Sequence, residues 1–254
     1  ILIAAAASAV VRSIVKGSEW GWSSARVVGL LTFTVVGTGF LARRISRHED
    51  PILPLPLLAI PSFRVAISSL FLFGLGFFSS MLVVVLYLTE MAGYSTVRTG
   101  FGVSVLAIMA FTTANFSGRL ADRFGHRRIA VPGMCSFILG CLWLYQNAGA
   151  NPSFFVDVFP ALVLMGAGIG SGPTLLSAAA VSEVDPSNFS VAGAVAQTAR
   201  QLSGAIGISI AVAISGSNAD EDAFRATFLY LTIVAAMSAI AALKLPAANA
   251  TRKL

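Results

Sequence analysis

The chain has 254 residues, of which 56% are hydrophobic and only 11% charged. Soluble domains carry about 25% charged residues, so a water-soluble globule of this composition would expose apolar surface everywhere and aggregate. The net charge of +6 does not point to nucleic acid, because the basic residues sit in short clusters beside apolar runs, where bilayer orientation accounts for them.

A helix needs about 20 apolar residues to cross the hydrocarbon core, and the sequence predicts eight such spans, the first cut short. The chain opens on Ile1 inside an apolar run with no signal-peptide pattern, and reads as a piece whose upstream part is missing. Span one is Ile1 to about Val15, followed by a turn in which Trp20 and Trp22 suit the headgroup belt. Span two is about Arg26 to Ala42 and ends at Arg43, Arg44 and Arg47. Residues 48–62 hold Pro51, Pro54, Pro56 and Pro61 and read as a linker. Spans three to eight are expected at about 63–88, 97–118, 129–145, 154–181, 188–214 and 224–243. The expected organisation is therefore two membrane helices (1–47), a Pro-rich linker (48–62), a six-helix bundle (63–245) and a tail (246–254).

Charge placement supports this count. With the turn after span four inside, the inside segments hold Arg43, Arg44, Arg47, Arg64, Arg119, Arg123, Arg127, Arg128, Lys244, Arg252 and Lys253. The outside segments hold Arg12, Lys16, Arg26, Arg98 and Arg225, and the acidic loop 218–222 also falls outside. This is the positive-inside bias. One basic residue, Arg200, falls within a span.

The densest chemistry lies between spans four and five, in Gly118-Arg-Leu-Ala-Asp-Arg-Phe-Gly-His-Arg-Arg128. Gly118 and Gly125 suit a tight chain reversal and close helix approach. Asp122 suits a helix cap or a neighbouring helix N-terminus. Arg123, Arg127 and Arg128 suit carboxylates or phospholipid phosphates. The alternative is a plain cationic anchor, and the fixed Gly and Asp positions favour a structured latch. Arg200, flanked by Gln197 and Gln201, is expected to face a partner or a wet cavity, since a lipid-facing arginine at mid-span costs about 2.5–3.5 kcal/mol. The three are candidates for a cavity or coupling role, and a structural ion pair or a contact to a backbone carbonyl of the next helix is the competing role for Arg200.

Other stretches read more simply. The alternating glycines of Gly166-Ala-Gly-Ile-Gly-Ser-Gly-Pro173 lack the Lys-Ser/Thr of a phosphate loop and suggest a pliable helix lining a moving interface, with a kink at Pro173. Phe71, Phe73, Phe77 and Phe78, with Ser79 and Ser80, read as packing or lipid-facing rather than as an aromatic pocket. Cys135 and Cys141 read as small buried hydrophobes, and His48 and His126 as solvated cations. No cofactor or metal site is expected. Glu90, Asp157, Glu183 and Asp185 all sit at span ends, so no proton-carrying acid is legible at mid-span.

The stretch Gly118-x-Leu120-Ala121-Asp122-Arg123-x-Gly125-x-Arg127-Arg128 resembles the loop motif of the major facilitator superfamily, with His126 where arginine or lysine is usual. Glu19-Trp-Gly-Trp22, Gly93-Tyr-Ser95 with Gly100, and Thr198-Ala-Arg-Gln-Leu-Ser-Gly-Ala-Ile-Gly207 resemble the fourteen-span drug:proton antiporter subfamily. The resemblance covers essentially the whole chain. It implies an all-α polytopic membrane fold: two linker helices and a C-terminal six-helix bundle, with the N-terminal six-helix half absent. It implies proton-coupled export of drugs or other amphipathic small molecules across the bacterial cytoplasmic membrane, by rocking of two halves about a midplane site. It also implies that Asp122 approaches the start of span seven near Asn188 to close a cytoplasmic gate. The expected partners are the lipid bilayer, an amphipathic substrate, protons and the missing half, with no nucleic acid. A membrane enzyme is disfavoured because His126 has only Asp122 beside it. A non-transporting sensor or partner subunit that keeps the bundle is the alternative.

Overall fold

The computed structural model of the chain describes residues 59–149, 152–215 and 220–245, with scattered positions between 8 and 57. Most of spans one and two, with Trp20, Trp22, Arg43, Arg44, Arg47, His48 and the first three linker prolines, lies outside the described residues, as does the tail. Where positions 8–13 and 26–39 are described, they are helical.

Six long helices carry the described fold. They are α1 (Pro61–Leu86), α2 (Thr96–Phe124), α3 (His126–Asn147), α4 (Phe159–Val181), α5 (Phe189–Ser215) and α6 (Glu221–Ala242). Pro61 is not linker but the first helical residue of α1, a position that needs no N–H donor and suits the fixed proline φ. The apolar run of α1 continues through a π-helical turn at Tyr87–Met91, and that of α4 is preceded by another at Phe154–Val158. Ser95 caps α2 by accepting the Arg98 N–H, and Asp220 caps α6 by accepting the Ala223 N–H at 2.9 Å. Glu221 and Asp222 follow in the first turn of α6, where carboxylates complement the helix dipole. Glu221 also pairs with Arg225 at 2.7 Å.

Five of these segments are long and apolar enough to cross a membrane: Pro61–Met91, Thr96–Phe124, His126–Asn147, Phe154–Val181 and Glu221–Ala242. The sixth helix, α5, has 27 residues, long enough to cross, but carries Gln197, Arg200 and Gln201. The outer surface confirms the solvent. Leu139 and Trp143 on α3 and Ile233, Met237 and Ile240 on α6 are all exposed. Such apolar stripes are compatible with hydrocarbon and not with water.

The packing has an internal symmetry. α1 lies against α4, α5 and α6; α4 lies against α1, α2 and α3; α3 and α6 lie against each other. Exchanging α1–α3 with α4–α6 reproduces the same pairings. Because α1 and α4 run in opposite senses, the six helices form two inverted three-helix repeats with α1 and α4 at the centre.

Small residues set the spacing of these pairs. A Cβ on Gly166 would meet the Leu106 carbonyl and Met109 of α2, and one on Gly170 the Ala110 carbonyl and Thr113 of the same helix. A Cβ on Gly168 would instead meet Gly133 and Phe137 of α3, and one on Gly172 the Phe73 ring of α1. The alternating glycines of α4 are therefore buried and together open the central helix to three different neighbours. This corrects the reading of a pliable wall at a moving interface. The helix runs on to Val181 through Pro173. The phenylalanines of α1 pack as expected: Phe73 is buried with its ring centroid 5.2 Å from that of Phe137. Ser79 and Ser80 donate to the Leu75 and Phe77 carbonyls of their own helix. Cys141 is buried, but Cys135 is on the exposed side of α3, so only one of the two cysteines is a core hydrophobe.

Candidate functional site

The ends of the helices form two poles of opposite charge. At one pole Ser62, buried at the start of α1, donates to Glu183 just after α4 at 2.5 Å, and Arg127 of α3 reaches the Leu245 carbonyl after α6 at 3.5 Å. His126, half-buried, joins Ser62, Arg127, Ser182, Glu183 and Leu245 around a cleft of about 40 Å³. That is room for water, and far below the ~300 Å³ of a small-molecule pocket. Asp185 opens the turn into α5 by accepting from the Ser187 hydroxyl at 2.6 Å and its N–H at 2.9 Å. These bonds hold its carboxyl below the usual range, the side-chain bond contributing most. Their stabilisation is present above the ordinary carboxylate pKa and is lost only as pH falls through the lower folded value.

At the other pole Tyr94 packs on Phe154, Tyr87 on Phe224 and Phe228, and Arg98 lies 3.8 Å above the Tyr94 ring. Among the described residues from 59 to 245 the first pole carries six Lys or Arg against three acids, and the second two against five. By the positive-inside rule the first pole is the one expected on the cytoplasmic side.

The basic motif is not a loop. Gly118–Phe124 forms the last two turns of α2 and His126 already begins α3, so the reversal rests on Gly125 alone. Its φ of 90° and ψ of 147° lie in a region essentially restricted to glycine. Gly118, by contrast, is an ordinary helical residue, and a Cβ there would meet nothing within 4 Å. The close approach expected at Gly118 is therefore not made within this bundle.

Asp122 also departs from expectation. It lies in the last turn of α2, exposed, and does not cap α3, whose start has no side-chain cap. A carboxylate at a helix C-terminus meets the negative end of the dipole, and among the described residues Asp122 has no hydrogen-bond or ion-pair partner. Nor does it approach the start of α5 near Asn188. α2 is packed on α4 and α3, and α5 on α1, so the two helices are not packed neighbours. Arg119, Arg123 and Arg128 are exposed beside it, and Arg127 alone of the motif arginines is drawn into the cytoplasmic cleft. That cleft joins residues more than a hundred positions apart, and no local signal marks Ser62 or Glu183 as its members.

Arg200 sits on α5 about 17 Å along the axis from Phe189. It is half-buried, and its Nε is buried without a hydrogen-bond partner. No ion pair to Arg200 is formed among the described residues. Gln197 and Gln201 are exposed. The helix is held against α1 by close contacts: a Cβ on Gly74 would meet Ser203, one on Gly204 the Phe78 ring, and one on Gly207 the Leu75 backbone. The motif residues and the Arg200 group thus lie on different helices and at different depths. The structure does not bring them together.

An inverted-repeat bundle of lipid-crossing helices, basic on one rim and with polar faces left open on α2 and α5, is a multi-pass membrane fold of the architecture on which secondary transporters are built. The profile of the Major Facilitator Superfamily matches residues 66–254, and the chain belongs to that family. It is 26% identical over 212 residues to a tetracenomycin C resistance and export protein of Streptomyces glaucescens, covering 83% of this chain and 39% of the relative. It is 27% identical over 218 residues to a methylenomycin A resistance protein of Streptomyces coelicolor, covering 85% and 45%. It is 22% identical over 205 residues to a lincomycin resistance protein of Listeria monocytogenes, covering 81% and 43%. The chain thus spans about two-fifths of the length of these curated relatives. The family is one of transporters rather than enzymes.

Proposed function

We propose that the chain is the C-terminal six-helix half, with part of the preceding linker helices, of a proton-coupled exporter of drugs or related amphipathic small molecules in the bacterial cytoplasmic membrane. The observation that carries this reading is the family match over residues 66–254 together with relatives named for antibiotic resistance and export. The open faces support it. α2 exposes Ser104, Thr112, Asn115, Arg119 and Asp122, and α5 exposes Gln197, Thr198 and Gln201. Polar residues within membrane spans face a partner or a water-filled path, and an N-terminal six-helix half supplies both.

In this reading Gly118, Asp122, Arg123, Gly125, Arg127 and Arg128 form a cytoplasmic gate element, and Gln197, Arg200 and Gln201 line the pathway. Gly125 sets the reversal, and Arg127 ties α3 to the end of α6. Gly118 and Asp122 present their free faces to the other half, where Asp122 meets a cation or a helix N-terminus. Such a contact is worth about 0.3–1 kcal/mol, and up to ~2 kcal/mol when partly buried.

Asp122→Asn in the full-length protein is therefore expected to lower drug efflux about two- to tenfold without lowering the melting temperature, because the carboxylate holds nothing within its own half. Unchanged efflux in a cell-based susceptibility panel removes Asp122 from the gate. The present chain alone lacks one wall of the pathway. Reconstituted in vesicles, it is expected to give no drug-driven proton flux, while the full-length protein does. Flux from the chain alone, read with an internal pH dye, would overturn the assignment as a half.

A further inference from the structure

We infer that Arg200 is an anion-recognition point, and that the ligands it receives are molecules carrying an acidic oxygen group, a carboxylate or a phenolate-type oxygen pair. The inference rests on the export reading and narrows its substrate class.

Three observations converge on it. The first is a charge without a match. A guanidinium stays protonated at every accessible pH, yet Arg200 forms no ion pair among the described residues and its Nε is buried without an acceptor. The described acids Glu90, Asp122, Asp157, Glu183, Asp185, Asp220, Glu221 and Asp222 all lie at helix ends, too far along the axis to compensate a residue about 17 Å inside α5.

The second is fixation. The contacts at Gly74, Gly204 and Gly207 press α5 onto α1 from Arg200 toward the C-terminal end of the helix, and the Arg200 carbonyl itself lies 3.6 Å from where a Gly74 Cβ would be. The backbone that carries the side chain is therefore held in place, and its Nε is buried at the root of the guanidinium. The third is access. Gln197 and Gln201 are exposed beside Arg200, with Thr198 and Gly193 on the same open side. A mid-span face built from amides, a hydroxyl and glycine is a wet face. A fixed guanidinium at the edge of a wet path presents parallel N–H donors, which match the two oxygens of a carboxylate or a comparable oxygen pair. The same uncompensated charge repels cationic ligands.

The test uses the purified full-length protein and two fluorescent probes of opposite charge, the dianion fluorescein at pH 8 and the cation ethidium, with binding read by anisotropy. Wild type is expected to bind fluorescein. Arg200→Ala is expected to weaken fluorescein about tenfold or more and to leave ethidium unchanged or tighter. Arg200→Lys, which keeps the charge but loses the planar fork, is expected to fall between. Gln197→Ala, at an exposed position outside the seam, is expected to weaken fluorescein a few-fold and serves if the arginine variants do not fold. No fluorescein binding by wild type, equal losses for the two dyes, or an unaffected fluorescein affinity would each overturn the inference. Equal losses together with a fall in melting temperature would mark Arg200 as paired to an acid of the other half. Proton-driven efflux is measured separately. Selective fluorescein loss without any efflux by wild type refutes the exporter and leaves the anion site standing.

Discussion

Gly125→Ala is expected to cost the folded bundle about 1–3 kcal/mol, whereas Gly118→Ala is expected to leave stability unchanged or slightly raised. Both glycines belong to the same motif, and sequence alone treats them alike. The structure separates them. Gly125 carries the whole reversal between α2 and α3 at a φ of 90°, where a Cβ is strained whatever the surrounding space. Relieving that strain tilts α3, and α3 carries Arg127 to the Leu245 carbonyl and packs on both α4 and α6. Gly118 is helical and open, so alanine there gains about 0.5–1 kcal/mol of helix propensity with nothing to clash against. Thermal unfolding of the full-length protein in detergent, followed by tryptophan fluorescence, measures both. If Gly118 is the surface on which the other half closes, Gly118→Leu combines an unchanged melting temperature with lost efflux. A Gly125→Ala protein as stable as wild type would show that the reversal is not fixed by this residue.

The larger packing effect is expected at Gly170→Ala, at about 3 kcal/mol of destabilisation. The new methyl would overlap the Ala110 carbonyl and the Thr113 hydroxyl and lie 2.8 Å from the Ala114 nitrogen. Two of those atoms are backbone of a neighbouring helix, so no rotamer change relieves the overlap and α2 must move off α4. Since α2 is the least covered of the spans and depends on α4 for most of its contacts, its displacement loosens the whole side of the bundle that carries Asp122. Gly100→Ala on the same α2 is the control, because a Cβ there meets nothing within 4 Å. It is expected to be neutral or mildly stabilising. Equal melting temperatures for the Gly170 and Gly100 variants would refute the close α2–α4 seam.

The sequence by itself marked the six helices of the bundle, five of them long and apolar enough to cross a membrane, because length, hydropathy and the punctuation of Gly, Pro and charge are local properties of the chain. It also sets an expected polarity for the bundle, since the bias of arginine to one set of turns needs only the order of the spans. It marked the Gly118–Arg128 stretch and Arg200 as unusual, since charge is costly beside hydrocarbon wherever the chain folds. Three decisions belonged to the tertiary structure. The motif became two helix ends hinged on one glycine, because the helical path of α2 continues through the charged residues as far as Phe124. The glycines of α4 became seats for three different helices, which depends on pairwise approach across distant segments and leaves no periodic trace. Asp122 and the start of α5 were set apart, because each helix end lies where its own packing partner places it, α2 on α4 and α5 on α1. Contacts between residues a hundred positions apart, such as Ser62 with Glu183, arise only from that non-local closure, so no window along the chain encodes them.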